Sequence, residues 1–212
     1  MILCDIGNTT YHFLIKQQDF KISVKDSLKS LVFYEQIYFI SVNKKATKKF
    51  LKQFPNAIDL EPYITLSTKY NQTLGIDRQV VSLYAKNKII VDIGSAITVD
   101  IIQNNIHQGG FILPGFDILK KIYPNISKKL QFNFSSKVNL DKIPTNTDMA
   151  INYAIFQMII LPIKDIKKRY DLKLIFTGEN SKYVMPYFQR ATLKKYLIFD
   201  NMKKLIKQKG IR

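Results

Sequence analysis

Short apolar runs broken by turn residues open the chain and predict a β-meander over residues 1 to 6, 11 to 16 and 19 to 24, with Gln17-Gln18-Asp19 as its second turn. A short helical piece is predicted near Ser27 to Tyr34, then a strand at Gln36 to Val42, a helix at Lys44 to Phe54 and a strand at Ala57 to Leu60. Val80, Val81, Leu83, Tyr84 and Ala85 fit a buried helix with Gly75 to Arg78 at its first turn. Strands at 88 to 93, 96 to 102 and about 106 to 112 repeat the opening arrangement. Thr147-Asp148 looks like a helix start, and Met149 to Leu161 is apolar almost all round. Such a helix needs cover on two sides, from the sheet and from a second subunit. The close reads as a strand at Leu172 to Thr177, Gly178, a helix to about Gln189, a strand at Tyr196 to Phe199 and a terminal basic helix. Strands followed by alternating helices and strands predict an α/β layered fold.

Within that pattern one motif occurs twice. Asp5-Ile6-Gly7-Asn8-Thr9-Thr10 and Asp92-Ile93-Gly94-Ser95-Ala96-Ile97-Thr98 each stand between two largely apolar runs, which reads as strand, tight turn, strand. Glycine permits positive φ and close approach to a ligand, and successive N–H groups in such a turn form a concave anion site. Asn8, Thr9, Thr10 and Ser95 add short donors, and Asp5 and Asp92 are strand-end carboxylates suited to a hard cation such as Mg²⁺. A single Asp-x-Gly is also an ordinary turn. The repetition suggests a duplicated domain, 1–86 and 87–212, with a nucleotide between the halves.

Composition narrows the classes. With 212 residues and 46% hydrophobic content the chain can build real cores without disulfides, and its single cysteine, Cys4, lies in the first apolar run as a small core residue. No run approaches a membrane span, and the expectation is a soluble cytoplasmic protein. The net charge of +17 invites a nucleic-acid reading. Most of it is lysine on amphipathic helices such as Lys44 to Lys52, with no nucleic-acid-binding signature beside it, so a solvated surface that draws in anionic substrates fits better. His12 and His107 have no metal-ligand spacing and read as surface or packing residues. Phe13, Phe20, Phe33, Tyr34, Tyr38 and Phe39 read as core.

Four segments in one order, Asp5-Ile6-Gly7-Asn8-Thr9, Gly75-Ile76-Asp77-Arg78, Asp92-Ile93-Gly94-Ser95-Ala96-Ile97-Thr98 and Gly109-Gly110-Phe111-Ile112-Leu113-Pro114-Gly115, carry a family resemblance. From residue 1 to about 178 the chain resembles the type III pantothenate kinases, of the ATPase superfamily that includes actin, hexokinase and the heat-shock chaperones. The resemblance implies duplicated ribonuclease H-like (actin-like) domains with mixed five-stranded sheets flanked by helices. It also implies ATP-dependent phosphorylation of pantothenate, the first step of coenzyme A synthesis, by a homodimer. Asp5, Ile6, Gly7, Asn8, Thr9, Thr10, Tyr11 and His12 look like the ATP-phosphate hairpin, with Asp5 directed at the Mg²⁺-phosphate end. Tyr70, Gly75, Ile76, Asp77, Arg78 and Thr147 are similar to the pantothenate contacts, and Asp77 matches the general base. Asp92 matches the ligand of a monovalent cation, K⁺ or NH₄⁺.

The chain departs from the family pattern in three places. Ser95 stands where an ATP-contacting Thr is usual, Thr177-Gly178-Glu179 replaces Thr-Gly-Gly, and the stretch from Pro114 to Thr147 is short. On residues alone Asp77 also fits a helix cap, and Arg78 a salt bridge at the same helix start. Two other classes share these features: a kinase for another acceptor on the same fold, and a non-catalytic regulator that binds nucleotide or nucleic acid.

Overall fold

The computed structural model describes residues 1–211. Ile2–Ile6 (β1), Thr10–Ile15 (β2) and Gln18–Ser23 (β3) form the predicted antiparallel meander. Ile37–Ser41 (β4) joins β1 in parallel, Lys44–Gln53 (α1) follows, and Ile58–Asp59 (β5) pairs with β4, giving the order β3-β2-β1-β4-β5. Alternation along the strands sends Ile2, Cys4, Ile6, Tyr11, Phe13, Ile37 and Phe39 to one face, where Ala46 and Phe50 of α1 cover them. Burial, with the Asp5 charge adding to it, holds the Cys4 thiol well above its usual range. The thiol is therefore neutral and inert.

After Ile76–Ser82 (α2) the plan repeats. Lys88–Ile93 (β6), Ala96–Gln103 (β7) and Ile106–Pro114 (β8) form a second meander. Phe116–Ile126 (α3) and Thr147–Tyr170 (α4) follow, then Lys173–Thr177 (β9), Ser181–Val184 (α5), Thr192–Leu193 (β10) and Leu197–Lys209 (α6). The sheet order β10-β9-β6-β7-β8 reproduces the first sheet: a meander on one side of the central strand and two parallel strands on the other. Two mixed five-stranded sheets flanked by helices are the architecture that the family resemblance implies. In the second sheet Ile89, Val91, Ile93, Ile97, Val99 and Ile101 pack on Phe116 of α3 and on Ile155, Phe156, Ile159 and Ile163 of α4.

Contacts divide the chain into two compact units, Met1–Tyr84 together with the stretch from Tyr196 onward, and Ala85–Lys195. The sequential division at 86/87 differs from this chiefly in the placement of the terminal helix.

Four local expectations are corrected. Ser27 to Tyr34 is not helical: the Ser27 hydroxyl accepts from the Lys29 N–H, a local turn that competes with helix, and only Leu28 is buried there, while Tyr34 is 98% exposed rather than core. Tyr196 to Phe199 is not a strand. Leu197, Ile198 and Phe199 begin α6, whose buried Met202, Leu205 and Ile206 continue a helical stripe. The helix α3 lies in a stretch with no predicted element, and α4 runs nine residues past Leu161 to Tyr170. The face of α4 toward the core is buried, whereas Met149, Met158 and Leu161 are exposed. The expectation that no run approaches a membrane span is also corrected: among the described residues α4 alone is long and apolar enough by length and composition to cross one, and its buried face belongs to the core of its unit.

Candidate active site

The candidate residues are spread over both units. In the first unit, Asp5 sits near the end of β1, directly opposite His12 on β2 and beside Ile40 on β4. The turn that follows is closed by the Gly7 N–H donating to the Thr10 carbonyl at 2.9 Å, and Asn8 and Thr9 are exposed at its tip. Gly7 does not take up positive φ, and a Cβ there would meet only the Thr10 carbonyl oxygen at an ordinary 3.5 Å. The expectation that the turn needs glycine for its backbone is thus corrected, and the same holds for Gly94, where a Cβ would meet Ala96 O at 3.6 Å. What glycine contributes in both turns is a bare backbone that a ligand can approach. The neighbouring α1 braces the first turn: the Asn43 side chain caps the helix by accepting from the Ala46 N–H and donates to the Asn8 carbonyl.

A second set in the same unit surrounds the start of α2. Gly75, not Asp77, occupies the N-cap position. The Asp77 carboxylate folds back to accept from the Arg78 N–H at 2.8 Å, and a Cβ on Gly75 would lie 2.5 Å from Asp77 Oδ1. Gly75 therefore leaves the room that the carboxylate fills, which gives Gly-x-Asp its physical meaning. Arg78 is buried, and its guanidinium carbon lies 5.0 Å from the centroid of the Tyr70 ring, a cation–π contact. Tyr70, Gly75, Asp77 and Arg78 are thus brought together. Ile76 is a core residue at the first turn.

At seven residues α2 is too short to hold itself. The terminal helix supports it: the buried Asn201 amide of α6 donates to the carbonyls of Val80, Val81 and Leu83, at the end of α2 where helix carbonyls lack partners. Nothing local in the sequence announces this support, because Asn201 lies about 120 residues from the carbonyls it serves.

In the second unit, Asp92 on β6 stands between Thr98 of β7 and Thr177 of β9. The turn after it is closed by the Gly94 N–H donating to the Ala96 carbonyl at 3.0 Å, with Ser95 exposed. Two glycines press on it. A Cβ on Gly115 would overlap the carbonyl oxygens of Gly94 and Ser95, and the Gly115 N–H donates to the Ser95 carbonyl at 3.2 Å. Gly178, at φ +85°, would put a Cβ 2.5 Å from Asp92 Oδ1 and 2.7 Å from the Ile93 carbonyl oxygen. The sequence signal for Gly115 was its place in the Pro-Gly pair, whereas the demand on Gly178 appears only in three dimensions. Thr147 is exposed in the first turn of α4, whose cap is Asn146, accepting from the Met149 N–H.

Both histidines pair with an Asp seven residues away: His12 with Asp19 at 3.0 Å, and His107 with Asp100 at 2.7 Å in full burial. Among the described residues no group of three or more His, Cys, Asp or Glu side chains could hold a metal ion. Asp5 and Asp92 are oxygen donors of the kind that binds Mg²⁺ together with phosphate oxygens and water, or an alkali cation together with backbone carbonyls, so the donor chemistry fits those ions.

The family model for type III pantothenate kinases matches residues 16–169. The type III pantothenate kinase of Campylobacter jejuni is 43% identical over 208 residues, covering 98% of this chain and 97% of its own. Those of Campylobacter hominis and Helicobacter pylori are each 39% identical over 211 residues, covering 100% of this chain and 100% and 93% of their own. A crystal structure from Campylobacter jejuni, described as a Baf family transcriptional activator, superposes with a TM-score of 0.87 at 42% identity and 99% coverage of both chains. An ethanolamine utilization protein from Carboxydothermus hydrogenoformans, at TM-score 0.50 and 13% identity, covers 93% of this chain and 85% of its own and shares the fold alone.

Proposed function

The chain belongs to the type III pantothenate kinase family, and from that premise we propose that Asp77 is the general base that accepts the proton of the pantothenate hydroxyl as the γ-phosphoryl group of ATP is transferred to it. The observation that carries this reading is the Asp77 carboxylate folded over bare Gly75 at the start of α2, with Arg78 beside it against Tyr70. Phosphoryl transfer asks a protein for positioning and charge neutralisation. Arg78 offers a planar fork for the pantothenate carboxylate, and Tyr70 and Thr147 complete the substrate contacts in this reading.

The first hairpin, Asp5 to His12, takes ATP phosphate through bare backbone and short donors, and Ser95 of the second hairpin supplies a hydroxyl to the nucleotide. Asp5 would hold Mg²⁺ by way of the phosphates, and Asp92 would hold K⁺ or NH₄⁺. When bound, these cations supply neutralisation of the charge that develops on the transferred group. The protein works in the cytoplasm as a homodimer. Its partner is a second copy on the exposed apolar residues Met149, Met158 and Leu161 of α4.

Replacing Asp77→Asn tests the base. The account expects kcat to fall on the order of 10²-fold or more, with the affinity for a nonhydrolysable ATP analogue unchanged. An Asn variant that turns over like wild type removes Asp77 from that role. A second reading, a regulator of the class named for the Campylobacter jejuni structure, draws on the net charge of +17. It predicts DNA affinity that falls steeply with salt and indifference to pantothenate.

A further inference from the structure

Across the antiparallel β1–β2 pair, Asp5 and His12 are directly opposite, so their side chains share one face of the sheet with Cβ atoms about 5 Å apart. The His12 ring is held on two further sides. Its Nε2 lies 3.0 Å from Asp19 Oδ2 on β3, and Phe199 of α6 meets it edge-on with ring centroids 4.8 Å apart. The other oxygen of Asp19 accepts from the Tyr196 hydroxyl at 2.6 Å. A continuous chain of contacts therefore runs from the residue preceding the terminal helix, through Asp19 and His12, to the neighbour of Asp5.

The second histidine supplies an internal comparison. His107 and Asp100 form the same kind of pair across the outer hairpin of the second sheet, but their side chains are 0% exposed, whereas His12 and Asp19 keep 19% and 21%. Full enclosure suits a pair that serves packing alone. The half-open pair lies on the face that carries Asp5, one strand from it.

We propose that His12, fixed by Asp19 and through it by Tyr196, is a positioning residue that sets the place of the Asp5 carboxylate in the first phosphate hairpin. A carboxylate next to a locked ring has fewer accessible positions than one next to a mobile side chain, and sub-ångström placement of the groups that meet phosphate governs transfer. Charge-assisted bonds to Asp19 suit this task, because they are shorter and stronger than neutral ones. The inference rests on the ATP-phosphate assignment of this hairpin made above.

Tyr196→Phe removes one hydroxyl and keeps the ring, and His12→Gln removes the imidazole. Each is expected to lower kcat/KM for ATP by about 3- to 10-fold and to weaken binding of a nonhydrolysable ATP analogue with Mg²⁺, read by calorimetry, by a similar factor. The KM for pantothenate should change by less than about twofold. Because the two act along one path, the double variant should be no worse than His12→Gln alone. Unchanged ATP kinetics and analogue affinity in both variants would overturn the proposal. So would a parallel rise of both KM values with a lower melting temperature, since that is the mark of a purely structural tie. Should wild-type protein show no pantothenate-dependent turnover, the kinase reading fails by itself, and the analogue affinities still decide the role of His12.

Discussion

The residues that matter most here are defined by what stands next to them. The Asp77 carboxylate has its place because Gly75 has no side chain, and Asp92 keeps its place because Gly178 has none either. The second case makes a direct prediction. Gly178→Ala introduces strain of roughly 1–3 kcal/mol at φ +85° and forces the Asp92 carboxylate aside, so the K⁺ concentration for half-maximal activity should rise at least severalfold while the pantothenate KM holds. A variant with wild-type K⁺ response would separate Asp92 from the cation. Asp5 and Asp92 were legible in the sequence because they stand in short motifs at strand ends, and Asp77 because it stands in Gly-x-Asp-Arg at a helix start. The glycine that confines Asp92 follows it by 86 positions, and no local pattern links them. Of the two reasons for glycine at positions 7 and 94, positive φ and close approach to a ligand, the structure removes the first.

Among the elements, α2 depends on α6. Its C-terminal carbonyls are served by the buried Asn201 amide, so Asn201→Ala should cost about 1–3 kcal/mol of stability, read by denaturant unfolding. It should also loosen Asp77 and Arg78, read as a raised pantothenate KM. An unchanged melting curve and KM would show that α2 holds itself. Strands β1 to β4 and β6 to β8 were readable because turn residues bound short, largely apolar runs, continuous in the central β1, β4 and β6. Failures cluster where that signal is ambiguous. Tyr196 to Phe199 is a short apolar run that fits strand by composition, and only the later Met202, Leu205 and Ile206 make it the first turn of a helix. In α3, Pro124 and the exposed Ile118, Ile122 and Ile126 obscure a helix whose buried side is only Phe116 and Leu119.

For the whole molecule, duplication is the organising fact. Each half offers a meander, a strand-end aspartate and a bare turn, and the halves differ in what surrounds the aspartate: His12 and Ile40 in the first sheet, Thr98 and Thr177 in the second. A histidine-backed carboxylate and a hydroxyl-flanked one suit the two cation roles proposed for Asp5 and Asp92. The excess of lysine over acidic groups suits anionic substrates such as ATP and pantothenate. The most direct measurement of the central claim is ADP release by purified protein with ATP and Mg²⁺, with and without pantothenate, in K⁺ and in Na⁺ buffer. The account predicts release that needs pantothenate and is stronger in K⁺; release indifferent to pantothenate in both buffers, or none at all, would contradict it.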